Sequence, residues 1–224
     1  NERWSELVDI IGRQLLCMDP DEAMDAYCDL KLRLAKTRET QLEDMSGAIG
    51  AYQEILDLSS TNEGARGGLE AYLDSDDHKL QSAEILEPIY EEVEDWSKLI
   101  RVHEIQLEAS DDQLRRVELL LKIGELYAKR LGDADNAFGA YSRCFKEDPA
   151  TETAKSELEE LSQLIDEGGV KLVGLFEQAL ESGDLDPMLA HELSGKVARA
   201  YDEQLNDTDK AVEYYRRALS IEPD

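Results

Sequence analysis

Hydrophobic positions recur at helical spacing along the chain. Near the N-terminus, Trp4, Leu7, Val8, Ile11 and Leu15 follow the i, i+3, i+4, i+7 spacing of a single apolar helix stripe. The alternation of apolar and polar residues that marks a half-buried β-strand does not occur in the sequence. The pattern therefore predicts an all-α protein.

Turn signals divide this pattern into about twelve helices. Asp19-Pro20 and Asp186-Pro187 each place an N-cap residue before a proline at the first helical position. Gly132 and Asn206, which tolerate the left-handed backbone conformation, follow the ends of two other helices. The predicted helices span about residues 3–18, 20–40, 44–58, 62–73, 79–94, 95–109, 111–131, 133–147, 151–166, 168–183, 186–205 and 207–221.

Three segments of the chain repeat one another. Residues 48–52 read AIGAY, residues 137–141 read AFGAY and residues 211–215 read AVEYY. Self-similarity at a regular spacing is typical of repeat proteins, so we predict a unit of about 74 residues, or two helical hairpins, that occurs about three times. The whole chain, 1–224, then forms a single solenoid, with units at about 2–94, 95–167 and 168–224.

Small and large residues follow the order of a known helix–turn–helix repeat in two stretches. Residues 120–149 contain, in order, Ile123, Gly124, Tyr127, Ala137, Tyr141 and Pro149. Residues 197–223 contain, in order, Ala198, Tyr201, Ala211, Tyr215, Ala218 and Pro223. The chain thus resembles the tetratricopeptide repeat family, whose hairpins stack into an α-α superhelix because one hairpin cannot bury both of its faces. Residues 30–60 match this pattern less closely, and the hairpins at about 79–109 and 151–182 are degenerate.

The repeat spacing is irregular in the first third of the chain. The distance from Ala48 to Trp96 is 48 residues, whereas the corresponding distance from Ala137 to Gly169 is 32 residues. The surplus is the length of one helix, so we predict an extra helix near 62–94. Glu43 stands at the place of Gly132 and Asn206, which predicts a differently built turn in the first copy.

Both ends of the chain fall close to repeat boundaries. Trp4 opens a repeat near the first residue, and Pro223 closes another near the last. We therefore expect the chain to be part of a longer array. Its terminal helices, near 3–18 and 207–221, should each leave an apolar side exposed, and we expect self-association through these sides.

The charge of the chain is strongly acidic. Fifty-two Asp and Glu residues against 24 Lys and Arg residues give a formal net charge of −28. Binding to nucleic acid or to an anionic membrane surface needs clustered basic residues, so both partners are disfavoured. The charge has two open interpretations: it attracts a basic ligand, or it serves solubility.

Chemistry-bearing residues are scattered in the sequence. Cys17, Cys28 and Cys144 form no CxxC pair or disulfide framework, and the three histidines show no metal-ligand spacing. The cysteine pattern favours a reducing, cytoplasmic location over a secreted one. We predict no catalytic residues, no cofactor and no metal site, and hence a protein that is not an enzyme.

The family resemblance implies a groove that binds an extended peptide. Its inward positions correspond in this sequence to Glu84, Glu91, Glu118, Leu121, Glu125, Glu192, Arg199 and Asp202. The family's carboxylate-clamp subgroup needs Lys, Arg and Asn at such positions, and this sequence, in which most of them are acidic, departs from that pattern. A ligand of this groove should therefore be positively charged. We predict a non-catalytic scaffold that binds a partner protein or peptide. The alternative is a regulatory or structural region of a larger polypeptide whose activity lies elsewhere.

Overall fold

The computed structural model describes residues 2–221, and within that span the regular structure is helical throughout. It contains twelve α-helices in these residues, which confirms the all-α class and the predicted number of helices. The chain divides into two compact units, Asn1–Ala109 and Ser110–Asp224. Within each unit, helices pack against their neighbours in chain order, which is the arrangement of an α-α superhelix.

The first unit contains six of these α-helices. Helix α1 packs on α2, α2 on α3, and α3 on α4, while α5 and α6 form a closely packed hairpin. A 3₁₀ turn continues α4 as far as Asp74. Both α4 and α5 lie between α3 and α6, which confirms the predicted extra helix. The helices are α1 (Glu2–Leu16), α2 (Met24–Gln41), α3 (Met45–Leu58), α4 (Glu63–Glu70), α5 (Lys79–Glu92) and α6 (Trp96–Ala109).

The second unit contains the other six. Helices α7 and α8 form one hairpin and α11 and α12 another, with α9 packed on α8 and α10 packed on α11. A π-helical segment extends α7 as far as Leu131. The helices are α7 (Gln113–Glu125), α8 (Ala134–Glu147), α9 (Glu152–Leu161), α10 (Gly168–Ser182), α11 (Pro187–Glu203) and α12 (Thr208–Ser220).

Three of the turns between helices share one geometry. Glu43, Gly132 and Asn206 all adopt a left-handed backbone, with φ of 55°, 66° and 52°. In each copy the next residue is an Asp, whose N–H donates to the carbonyl six residues earlier and whose carboxylate caps the following helix. The expectation of a different turn at Glu43 is wrong, because these shared hydrogen bonds offset the roughly 1–2 kcal/mol that a left-handed non-glycine residue costs.

The helix start predicted at Asp19-Pro20 is also wrong. Asp186 caps α11 through the N–H of Met188, and Pro187 is its first residue, as predicted. Helix α2, however, begins at Met24 rather than at Pro20. The Asp19 carboxylate accepts the N–H of Asp21 instead, and the residues after it form a separate turn.

The terminal helices leave large apolar side chains exposed. On α12, Val212, Tyr215 and Leu219 are 42%, 40% and 80% exposed, and their spacing places them on one face. On α1, Trp4 and Leu16 are exposed but lie on different sides of the helix. Pro223, which closes the last repeat in the sequence, lies outside the described residues. None of the helices in residues 2–221 is long and apolar enough to cross a bilayer.

Candidate binding site

Two of the predicted groove residues lie in the first unit. Glu84 and Glu91 are both on α5, seven residues apart, and both are exposed. Seven residues are two helical turns, so the two carboxylates share one face of the helix.

Three more of the predicted groove residues lie on α7 in the second unit. The Glu118 carboxylate is 3.5 Å from the guanidinium of Arg115, and the Glu125 carboxylate accepts a 3.1 Å hydrogen bond from Lys129. Both acidic side chains are more than half exposed, and such exposed pairs along one helix stabilise weakly. Leu121 is half-buried between them. The two carboxylates therefore stay accessible to a ligand.

Glu192 on α11 belongs to an ionic network instead. Its carboxylate is 3.2 Å from the ammonium of Lys155 on α9 and 2.8 Å from that of Lys196 on its own helix. Lys196 also lies 2.6 Å from Glu159 of α9. Lys155 is only 2% exposed, so this network joins α9 to α11 in a partly dry environment. Glu192 thus holds two helices together.

Burial and charge act in opposite directions on this network. Burial alone would raise the pKa of Glu192, but hydrogen bonds from Lys196 and Lys155 lower that pKa overall. Burial would likewise lower the pKa of Lys196, and its bonds to Glu159 and Glu192 raise it overall. Both groups therefore stay ionised at neutral pH.

Arg199, the next predicted residue on α11, lines a cavity of about 230 Å³. Asp202, which follows it by three residues, is exposed and does not line that cavity. The cavity lies between α9, α10 and α11 and is formed by Glu159, Ser162, Gln163, Gly169, Leu172, Val173, Phe176, Lys196, Arg199, Ala200 and Gln204.

The lining of this cavity is divided by chemistry. Leu172, Val173 and Phe176, all from α10, supply its apolar side. Arg199 of α11 and Gln204, which directly follows that helix, supply hydrogen-bond donors. Arg199 takes no part in the ionic network that joins α9 to α11. The cavity therefore has an apolar side and a side that carries hydrogen-bond donors.

Another group of polar side chains was not foreseen from the sequence. Glu87 and Glu91 of α5 and His103 of α6 place their possible ligand atoms within 4.8 Å of one another. Residues on two helices meet here because α5 and α6 pack as a hairpin. The only sequence signal for it is the four-residue spacing of the two glutamates, which is common in a chain this acidic.

The two buried cysteines are poorly suited to nucleophilic chemistry. Burial raises the pKa of Cys144 to about 11, and nearby carboxylates add to this effect. Burial also raises the pKa of Cys28. Because the thiolate is the reactive form, both side chains act as small core residues at neutral pH.

Comparison with known proteins identifies the repeats. Residues 84–117, 118–151 and 192–224 each match a model described as tetratricopeptide repeat. The second and third of these contain the two stretches that resemble the family most closely in sequence. The first covers most of the hairpin at about 79–109, one of the two interpreted as degenerate.

Similarity to individual proteins is weaker. No curated protein matches the chain. Among the solved structures, the C-terminal part of a TPR repeat-containing protein from Cytophaga hutchinsonii is 14% identical, over 99% of this chain and 91% of that one, with a TM-score of 0.32. Tetratricopeptide repeats generally mediate protein–protein interactions and generally act as non-catalytic scaffolds. The chain therefore contains tetratricopeptide repeats, at residues 84–117, 118–151 and 192–224.

Proposed function

We propose that the chain is a protein-interaction module that binds an extended, basic segment of a partner protein. The observation that carries this proposal is the cavity between α9, α10 and α11, which Arg199, one of the predicted groove residues, helps to line. A concavity between successive helical hairpins is where a repeat protein can hold an extended chain.

The size of the cavity favours a side chain over a small-molecule cofactor. Its volume of about 230 Å³ is below the roughly 300–1,000 Å³ of typical small-molecule sites. Leu172, Val173 and Phe176 give it an apolar side. One apolar residue of a partner segment would bury its side chain there, and an apolar anchor in a pocket is what concentrates binding energy in protein interfaces.

Charge favours basic residues in the rest of the bound segment. Glu118, Glu125 and Asp202 of the second unit are exposed, and the formal net charge of the chain is −28. A field of this sign attracts Lys- and Arg-rich segments and accelerates their association. Arg199 and Gln204 would then donate hydrogen bonds to the carbonyl groups of the bound backbone.

The cavity can be tested by filling it. Peptides would be selected from a random library on the immobilised full chain at low salt, and the best of them titrated by calorimetry. We expect Ala200→Leu, which adds a side chain to the cavity lining, to weaken binding at least tenfold. Thr153→Leu is the matched control, because Thr153 is exposed on α9 and does not line the cavity. Equal loss of affinity in both variants, or in neither, would refute the role of the cavity.

A second candidate is a structural region of a larger polypeptide, and the exposed face of α12 favours it. Its three apolar residues occupy the repeat positions of three α8 residues that are buried. The pairs are Val212 with Phe138, Tyr215 with Tyr141, and Leu219 with Phe145. In this alternative, a further helix of the larger polypeptide covers the face of α12, and the activity of that polypeptide lies outside residues 1–224.

A further inference from the structure

The first unit brings three potential metal ligands together on one hairpin. Glu87 and Glu91 of α5 and His103 of α6 have ligand atoms that all lie within 4.8 Å of one another. We propose that these three side chains bind a divalent transition-metal ion, with zinc as the best-suited ion.

The spacing of the side chains fits shared coordination. Glu87 and Glu91 are four residues apart, so their carboxylates lie on the same face of α5. Nδ1 of His103 is 3.7 Å from Oε1 of Glu87. This distance exceeds the roughly 2.7–3.2 Å of an N–H···O hydrogen bond. It is close to the distance of about 3.4 Å that separates two ligands of a tetrahedral ion with bonds of about 2.1 Å.

The site is held on its inner side and open on its outer side. His103 is 1% exposed, so packing fixes its imidazole. Gln106 donates a 2.6 Å hydrogen bond to Oε2 of Glu87, which orients that carboxylate and leaves Oε1 toward the histidine. Outer partners of this kind set the geometry of metal ligands. Glu91 is exposed and gives an ion access from solvent.

Charge and ligand type select the ion. Two carboxylates and a neutral imidazole carry a charge of −2, which a divalent cation neutralises. Ca²⁺ and Mg²⁺ prefer ligand sets made of oxygen alone, whereas an imidazole nitrogen suits zinc and its first-row neighbours. Three protein ligands leave a fourth tetrahedral position for water or for a ligand from a partner protein.

The ion would join α5 to α6 through side chains of both helices. An ion that binds the folded chain and not the unfolded chain raises the stability of the fold with its concentration. We therefore expect zinc to raise the melting temperature of the full chain, and Mg²⁺ at the same concentration to raise it less.

Calorimetric titration of the full chain, freed of metal by a chelator, with Zn²⁺ alone tests the site. We expect one tight site per chain, and Glu91→Gln should weaken it at least tenfold because one of three ligands is lost. Glu92→Gln is the matched control, since Glu92 is the exposed neighbour on the same helix and lies outside the trio. Equal affinities of the two variants would overturn the proposal, because they would mean diffuse binding to an acidic surface.

A spectroscopic measurement tests the buried ligand, His103, without a substitution in the core. In ¹⁵N-labelled protein, one equivalent of Zn²⁺ should shift the Nδ1 resonance of His103 and leave the rings of His78 and His191 unchanged. An unmoved His103 resonance at saturating zinc would overturn the site, as would displacement of Zn²⁺ by an equal concentration of Ca²⁺.

Discussion

The ring of Tyr141 on α8 occupies the space that a side chain at Gly124 of α7 would need. A Cβ atom added to Gly124 would lie 2.7 Å from the nearest ring carbons of Tyr141, closer than van der Waals contact allows. Both residues are buried. The pair fixes how closely α7 and α8 approach, and it belongs to the repeat that the sequence displays most clearly.

Gly124→Ala should therefore destabilise the protein by about 1–3 kcal/mol, because the buried Tyr141 ring has to move or the helices have to separate. The measurement is urea unfolding followed by circular dichroism. Gly139→Ala is the control: it lies within α8, is exposed, and a Cβ there would meet no atom within 4 Å. The free energy of unfolding of that variant should rise by up to about 1 kcal/mol, because alanine has a higher helix propensity than glycine. If both variants lost a similar amount of stability, the contact between Gly124 and Tyr141 would not be the cause of the loss.

The repeat pattern predicted the number of helices and the extra helix, since both depend on local sequence. The start of α2 could not be predicted in the same way. Asp19-Pro20 has the composition of a helix start, but the Asp19 side chain bonds to a nearer N–H and forms a turn instead. Glu43 was misjudged for a related reason, because hydrogen bonds beyond the residue itself stabilise its left-handed backbone.

The candidate sites depend on tertiary packing and were less accessible to sequence reasoning. Arg199 was predicted as a groove residue, but the apolar side of its cavity comes from α10, a helix on which no groove residue was predicted. The approach of His103 to Glu87 depends on the register of the α5–α6 hairpin, which residue spacing does not determine. That all eight predicted residues form one groove stays a prediction.

Glu192→Gln should weaken the link between α9 and α11 at neutral pH. The folded-state pKa of Glu192 is below its ordinary value of 4.5, so its ionised form stabilises the fold above that pH. The contribution is lost as the pH falls through the lowered pKa. In urea unfolding at pH 7, we expect the variant to have a clearly lower free energy of unfolding than wild type. Near pH 3, the two free energies should converge.

Glu203→Gln is the control for that comparison, since Glu203 is exposed on the same helix. It removes the same formal charge without touching Lys155 or Lys196. If the free energies of unfolding of Glu192→Gln and wild type differed by the same amount at both pH values, the ionised carboxylate would not be the source of the stability.

The exposed face of α12 should promote self-association. Val212, Tyr215 and Leu219 form an apolar face that an equivalent helix buries elsewhere in the chain. We expect sedimentation equilibrium to show dimers at high protein concentration, and Leu219→Glu to shift the protein to monomers. Leu114→Glu, at an exposed leucine on α7, should leave the equilibrium unchanged. A wild-type chain that stays monomeric throughout would contradict this prediction.

The salt dependence of peptide binding tests the central claim most directly. A library-selected peptide would be titrated into wild type and into the double variant Glu118→Gln, Glu125→Gln, at about 10 mM and 150 mM salt. Between these concentrations the Debye length falls from about 30 Å to about 8 Å. We predict that the selected peptide is basic and that its affinity for wild type falls at least tenfold from the lower to the higher salt concentration. The double variant should bind the peptide more weakly than wild type at low salt, and its affinity should change less with salt. Equal affinity of the two proteins at both salt concentrations would contradict the account.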